Sequence, residues 1–206
     1  MLNSAQLLSF AGVSLAVALS PGPSWAYVIS STLRGGRQAG FAAVGGNATG
    51  ILLHTAAVAA GLAALAAQSP ALLDLLRQAG AVYLLYLAYR ALQSARAGAR
   101  APAPPPTVRT TGRIWLGGVT MSVLNPKISL LMLALLPQFV DPARGSTTAQ
   151  AATLGGLHAA IASLTLITLT LTGDRLRRSP QAERGFQWLS AGALGGFGLH
   201  LLLSDS

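Results

Sequence analysis

The sequence predicts an all-α polytopic membrane protein, with six transmembrane helices as two inverted three-helix repeats and helices 1 and 4 interrupted. Three observations carry this. Of 206 residues, 52% are hydrophobic and only 9% charged, against about 25% charged in soluble domains. Six apolar runs, near 5–32, 39–67, 72–94, 113–137, 148–172 and 185–203, can each cross a hydrocarbon core of about 30 Å as a helix. Three spans per half give the halves opposite orientations, the arithmetic of an inverted repeat.

The first run is broken by Ser20-Pro21-Gly22-Pro23-Ser24. Proline inside a helix removes an amide donor and clashes with the carbonyl one turn back. Pro21 and Pro23 therefore strand the carbonyls of Val17 and Leu19, and Gly22 lets the backbone bend. Such a break survives in hydrocarbon only where protein or a wet cavity satisfies it. Ser20 before Pro21 has the pattern of an N-cap followed by a first-turn proline. No Lys or Arg precedes this run, and apolar sequence continues past the break, which argues against a cleaved signal peptide.

The second run opens with Arg34-Gly35, reaches Gly45-Gly46, and holds Asn47, Thr49, His54 and Thr55. Gly36-x-x-x-Gly40 and Gly46-x-x-x-Gly50 allow close helix approach, with packing inside the subunit favoured over a dimer seam. In the third run Asp74 and Arg77 can pair at the outer start. Tyr83, Tyr86 and Tyr89 form a stripe suited to packing and interface anchoring. Proline-rich Ala101 to Pro106 marks a linker at 95–112, which divides the chain into repeats 1–94 and 113–206. The fourth run breaks at Asn125-Pro126-Lys127, in the same grammar as the first, and Pro126 frees the carbonyl of Ser122. Lys127 is an intramembrane ammonium, a functional candidate by default, unless the break lets it snorkel to the interface. The fifth run opens with Arg144-Gly145, reaches Gly155-Gly156 and holds His158; the sixth ends near His200.

Arginine sets the orientation. Arg34 and Arg37, then Arg90, Arg96, Arg100, Arg109 and Arg113, then Arg175, Arg177, Arg178 and Arg184 fall on one side. Only Arg77 and Arg144 fall on the other, beside Asp74, Asp141 and Asp205. The basic side is cytoplasmic and both termini face outward. The net charge of +9 is sparse and lies between apolar runs, which fits topology rather than nucleic-acid binding.

Interrupted segments in corresponding places of two halves are the best sequence pointer to a transporter's binding site. Half-helix N-termini suit a carboxylate and freed carbonyls suit an ammonium, so a zwitterion meets both. The candidate substrate-binding set is Ser20, Pro21, Gly22, Pro23, Ser24, Asn47, His54, Asn125, Pro126 and Lys127. Among the histidines, which can relay protons near neutral pH, His54 ranks above His158 and His200. No Asp or Glu falls in mid-span, so no acid relay is visible.

Several classes are excluded or weakened. There is no cysteine, hence no disulfide or thiolate site, and no zinc, phosphate-loop or cofactor motif. Ser24 with a histidine suggests a hydrolase only if the two touch, which nothing in the sequence supplies, so an enzyme is not expected. A metal-ion exporter lacks the usual ligands. A non-transporting membrane subunit whose glycine faces bind a partner span, or an exporter of another small solute, stays open.

The ordered motifs also resemble a known family. Ser20-Pro21-Gly22-Pro23 is followed by Gly35-Gly36-Arg37-Gln38-Ala39-Gly40, then Gly46, Gly50 and His54. Gly80-Ala81-Val82-Tyr83-Leu84 with Tyr86-Leu87 comes next, then Asn125-Pro126-Lys127 and Leu136-Pro137-Gln138-Phe139. This series resembles the LysE/RhtB family of bacterial amino-acid exporters. The resemblance implies a secondary transporter of the bacterial cytoplasmic (inner) membrane, exporting amino acids or close derivatives by alternating access. It further implies the proton gradient as driving force, no cofactor, and a homo-oligomer such as a dimer. Many relatives place Asp or Asn directly after the first motif; Ser24 stands there in this chain, which weakens lysine or arginine as cargo.

Overall fold

Asn3 starts the first helix. Its Oδ1 accepts the Gln6 N–H at 2.7 Å while Gln6 Oε1 accepts the Asn3 N–H at 3.0 Å, a reciprocal cap on two donors that a helix start leaves unpaired. The computed structural model describes residues 2–68 and 110–176 continuously, and single positions within 75–96 and 181–203 that are all helical. The side chains of 62–68, Pro126, Lys127, Ser129, Leu130, Ala134 and 173–176 lie outside the described set. So do the Asp74–Arg77 pair, Tyr83, His200 and the linker stretch 97–109. Among the described residues the helices are α1 (Ser4–Leu19), α2 (Pro23–Gln68), α3 (Thr111–Val123), α4 (Pro126–Phe139) and α5 (Thr147–Leu176), with one 3₁₀ turn at Pro142–Arg144; no strand occurs among them.

Helix α2 is one run of helical residues folded at Gly36, whose φ of 70° and ψ of −171° suit only glycine. A straight helix would set Thr32 and Gly40 about 12 Å apart at 1.5 Å per residue. Here a Cβ placed on Gly40 would strike Thr32 Oγ1. The two arms, 23–35 and 37–68, therefore form a hairpin, at the place where the arginine pattern puts the first cytoplasmic turn. The second arm of α2 and α5 have the length and hydropathy of a bilayer crossing. Helix α1 with the first arm of α2, and α3 with α4, reach that length only as broken pairs.

Glycine sets how these helices meet. A Cβ on Gly46 would run into the Trp115 carbonyl and stand 2.9 Å from the Val119 amide, and one on Gly50 would meet Ser122. Both numbers rise together, so the second arm of α2 runs parallel to α3. Gly40 lies against Thr170, and Gly155 against Thr55; one number rises as the other falls, so that arm is antiparallel to α5. Of the two expected glycine motifs, Gly46-x-x-x-Gly50 packs inside the subunit, whereas in Gly36-x-x-x-Gly40 only Gly40 makes a close contact and Gly36 is the hinge of the hairpin. Helix α4 buries a continuous face of Leu131, Met132, Leu135 and Leu136, all fully enclosed, in one apolar core with residues of α1, α2 and α5. Phe10 and Phe139 close that core edge-to-face, with ring centroids 5.2 Å apart.

The outside is as apolar as the inside. Leu52, Leu53, Leu164 and Leu171 stand 47–63% exposed at mid-helix, where a soluble protein would carry charge. The threonines of α5 do not contradict this: Thr165, Thr168, Thr170 and Thr172 each donate to the carbonyl four residues back. In the loop between α4 and α5, Arg144 pairs with Asp141 at 2.9 Å, so the arginine that departs from the charge pattern has a carboxylate partner. Buried Gln150 staples that loop, accepting from the Asp141 amide and donating to the Asp141 and Gly145 carbonyls.

The close approach yields a paired prediction. Gly46→Ala forces a methyl into the α3 backbone and should destabilise the detergent-purified protein by about 1–3 kcal/mol. Gly156→Ala, where a Cβ meets nothing within 4 Å, should leave the thermal midpoint within about 0.5 kcal/mol equivalent of the parent. Equal midpoints for the two variants would mean that Gly46 does not set the helix spacing.

Candidate functional site

Two chain breaks end on one cavity. At the first, α1 stops at Leu19, and the Ser20 amide donates back to the Val17 carbonyl at 3.1 Å. The next helix starts at Pro23, with the Ala26 amide reaching the Gly22 carbonyl at 3.1 Å. The expected Ser20 cap and first-turn Pro21 are therefore displaced by two residues. Pro23 takes the first-turn place, because either proline has the required φ and a missing donor there costs nothing. At the second break α3 stops at Val123 and α4 starts at Pro126 directly after Asn125, as the sequence predicts.

The freed carbonyls of Val17 and Ser122 have donors within the fold, as does the neighbouring Ala18 carbonyl. Val17 receives the Ser20 amide. Ala18 receives the Trp25 indole N–H at 2.9 Å. The Ser122 carbonyl receives the Asn125 amide at 3.2 Å and Nε2 of His54 at 3.3 Å, so that nitrogen carries the proton. The expectation that the Val17 and Ser122 carbonyls meet a cargo ammonium is corrected accordingly: unpaired carbonyls in an apolar interior are expensive, and the fold supplies donors of its own. His54, which the sequence places in the candidate set, is not among the residues lining the cavity described below; its Nε2 stands at the end of α3.

The cavity measures about 50 Å³, room for a few waters. From the first break it is lined by Ser20, Gly22 and Ser24, from the second arm of α2 by Asn47 and Ile51, and from the second break by Asn125 and Ile128. Five residues singled out from sequence, Ser20, Gly22, Ser24, Asn47 and Asn125, therefore come together from positions far apart in the chain. Pro21 lies half-buried within the break and Pro23 is exposed at its helix start. The side chains of Pro126 and Lys127 fall outside the described set.

Polar groups on this wall are unsatisfied. Ser24 Oγ and Asn47 Oδ1 are buried with no hydrogen-bond partner among the described residues, although buried polar atoms are nearly always paired. Two acceptors thus converge where the N-terminal ends of the α2 first arm and of α4 bring partial positive charge. The described lining includes no Asp, Glu, Lys or Arg. Among the described residues no three His, Asp or Glu side chains gather as a metal site.

Sequence reasoning placed His158 below His54 and did not single out Trp25 or the apolar wall. His158, Ala162 and Leu166 line the cavity from α5; their i, i+4, i+8 spacing marks one helix face and was the available signal. His158 is 2% exposed, and its Nδ1 stands 2.6 Å from Ser14 Oγ on α1.

Comparisons with known proteins give the chain's relatives. The chain is 29% identical to the threonine efflux protein of Escherichia coli K12, over 96% of this chain and 97% of that one. It is 30% identical to the homoserine/homoserine lactone efflux protein of Salmonella typhimurium LT2, over 63% and 62%. It is 31% identical to the leucine efflux protein of Salmonella choleraesuis SC-B67, over 61% and 58%. No solved structure gives a significant match. The family model for the LysE type translocator matches residues 15–205, and the chain, a membrane protein, belongs to that family of amino-acid efflux translocators.

Proposed function

We propose that the protein is a secondary transporter exporting small neutral amino acids, with the cavity between the two breaks as its site. The observation that carries this is the pair of buried, unpartnered acceptors, Ser24 Oγ and Asn47 Oδ1, where both broken helices meet. An ammonium fits between these acceptors. A carboxylate fits the first-turn amides of the half-helices, which have no helical acceptor of their own. A lining without described charge favours a neutral side chain, in line with the names threonine, homoserine and leucine efflux carried by relatives.

The inverted-repeat reading has support of two kinds. Parallel packing of the second arm of α2 on α3 calls for an odd number of crossings between them, which the apolar run 72–94 supplies once. The histidines also cross over: His54, in the second run, bonds to the broken fourth run, and His158, in the fifth, bonds to the broken first run. On this reading the repeats are 1–94 and 113–206, the arginine-rich side faces the cytoplasm, the inner membrane is the location, and alternating access exposes the cavity to each side in turn. The proton gradient drives export, and the working form is a homo-oligomer such as a dimer.

The decisive assay is counterflow. Purified protein in liposomes preloaded with threonine, homoserine or leucine should concentrate the same labelled amino acid; a non-transporting subunit should not, and absence of counterflow across the panel rejects the reading. Asn47→Ala removes the acceptor proposed for the ammonium. Half-saturation should rise about ten- to a hundredfold, since a hydrogen bond to a charged group contributes about 1.5–3 kcal/mol. The thermal midpoint should hold or rise, because an unpaired buried group has been deleted; a falling midpoint with unchanged half-saturation would assign Asn47 to folding instead. Lys127→Met should strongly reduce transport if the ammonium serves the site; unaltered affinity and turnover would make Lys127 structural.

A further inference from the structure

We infer that His158 is the proton carrier of this site: its imidazolium and the cargo's ammonium exclude each other from one small cavity, so proton entry drives cargo exit. The inference rests on the exporter reading above. Its ground is geometric. His158 is the only titratable side chain among the described residues lining the cavity, and it is buried to 2% exposure. Its Nδ1 is held by Ser14 Oγ at 2.6 Å.

A serine hydroxyl has one donor and two acceptor sites and rotates freely between them. It donates to Nδ1 when the ring is neutral with its proton on Nε2, and accepts from Nδ1–H when the ring is charged. The bond between α1 and α5 therefore survives both states, as a reversible carrier requires. His54 is held differently. Its Nε2 faces a backbone carbonyl, which only accepts, at the end of α3.

The neighbouring elements offer few rivals. Helix α1 has no ionisable side chain. On α2, Arg34 and Arg37 lie exposed at the hairpin turn, Tyr27 donates to the Ile114 carbonyl, and His54 turns to Ser122. Arg113 of α3 is exposed. Lys127 of α4 is a competitor by position, and its side chain is outside the described set, as are those of Asp174 and Arg175 on α5.

The cycle balances in protons alone. A neutral ring tolerates the zwitterion beside Ser24 and Asn47. When the cavity opens outward, one proton from that side adds to the ring nitrogen, and repulsion between the two cations in a water-poor cavity expels the zwitterion. The cavity then opens inward, the ring gives its proton to the cytoplasm, and a new zwitterion binds. One proton enters for each amino acid that leaves, and no bond other than N–H is made or broken.

Calorimetry of threonine binding to the detergent-purified protein, run in two buffers of different ionisation enthalpy, counts the protons released. Wild type should release about one proton per threonine at the acid end of the range in which an imidazole titrates, and close to none at the alkaline end. His158→Asn, whose amide reaches the place of Nδ1, should lose the release. In liposomes its counterflow should persist at reduced rate without acceleration by a pH gradient. Should His158→Asn fail to insert, His158→Gln and the wild-type proton count decide. A wild type that binds threonine without releasing a proton anywhere in that range overturns the inference. So does release that persists in His158→Asn but vanishes in Lys127→Met. A wild type that shows no counterflow of any amino acid sinks the exporter reading itself, and this inference with it.

Discussion

A carbonyl that proline releases inside an apolar fold must find a donor, and that requirement shapes the centre of this protein. Unpaired backbone groups cost several kcal/mol in hydrocarbon. The first break meets the demand locally, with the Ser20 amide turning back to Val17, while the Trp25 indole takes the Ala18 carbonyl beside it at the helix end. The second meets it at long range, with His54 of α2 reaching Ser122 of α3. The interruptions are consequently pinned features, with their caps supplied from side chains that a plain packing argument would assign to the core.

Around those breaks the glycines build a frame. Gly46, Gly50 and Gly118 bring the second arm of α2 against α3 with backbone nearly touching backbone, and Gly40 and Gly155 do the same toward α5 through Thr170 and Thr55. Close approach of this kind replaces the hydrophobic driving force that lipid removes between helices. It also explains how Asn47 can be 3% exposed in mid-helix. With glycine on either side at positions 46 and 50, the neighbouring helices come close enough to seal an amide that still faces a cavity. The frame and the breaks are thus one construction, since the close-packed arm carries both the cavity amide and the histidine that caps α3.

What the sequence made legible follows the range of the forces involved. Proline and glycine act on their own few bonds, so both interruptions, the turn near Arg34 and Arg37, and the close helix contacts could be read directly. The choice between Pro21 and Pro23 as helix opener could not, because both satisfy the local rule. Nor could the fate of the freed carbonyls, since the donors depend on which helix lies alongside. Ile51, Ile128, Ala162 and Leu166 were unreadable for another reason. An apolar residue toward a cavity and one toward lipid look alike in a chain that is apolar on every face.

The two histidines show how far polarity alone misleads. Both sit in long apolar helices, and His54 has the more polar company in Asn47, Thr49 and Thr55. Yet Thr49 and Thr55 spend their hydroxyls on the carbonyls of Gly45 and Ile51, so that company does not mark a wet face. Height along the helix axis decides instead. Asn47, Ile51 and His54 share one helix face, but His54 lies about 10 Å beyond Asn47 along the axis and meets the end of α3. On α5, His158 begins the inward series that Ala162 and Leu166 continue at four-residue steps. Each histidine ties a frame helix to a broken one, α2 to α3 and α5 to α1, but only the second tie runs through a side chain on the cavity wall. One acts on a backbone end that the break exposed, and the other acts where something can bind.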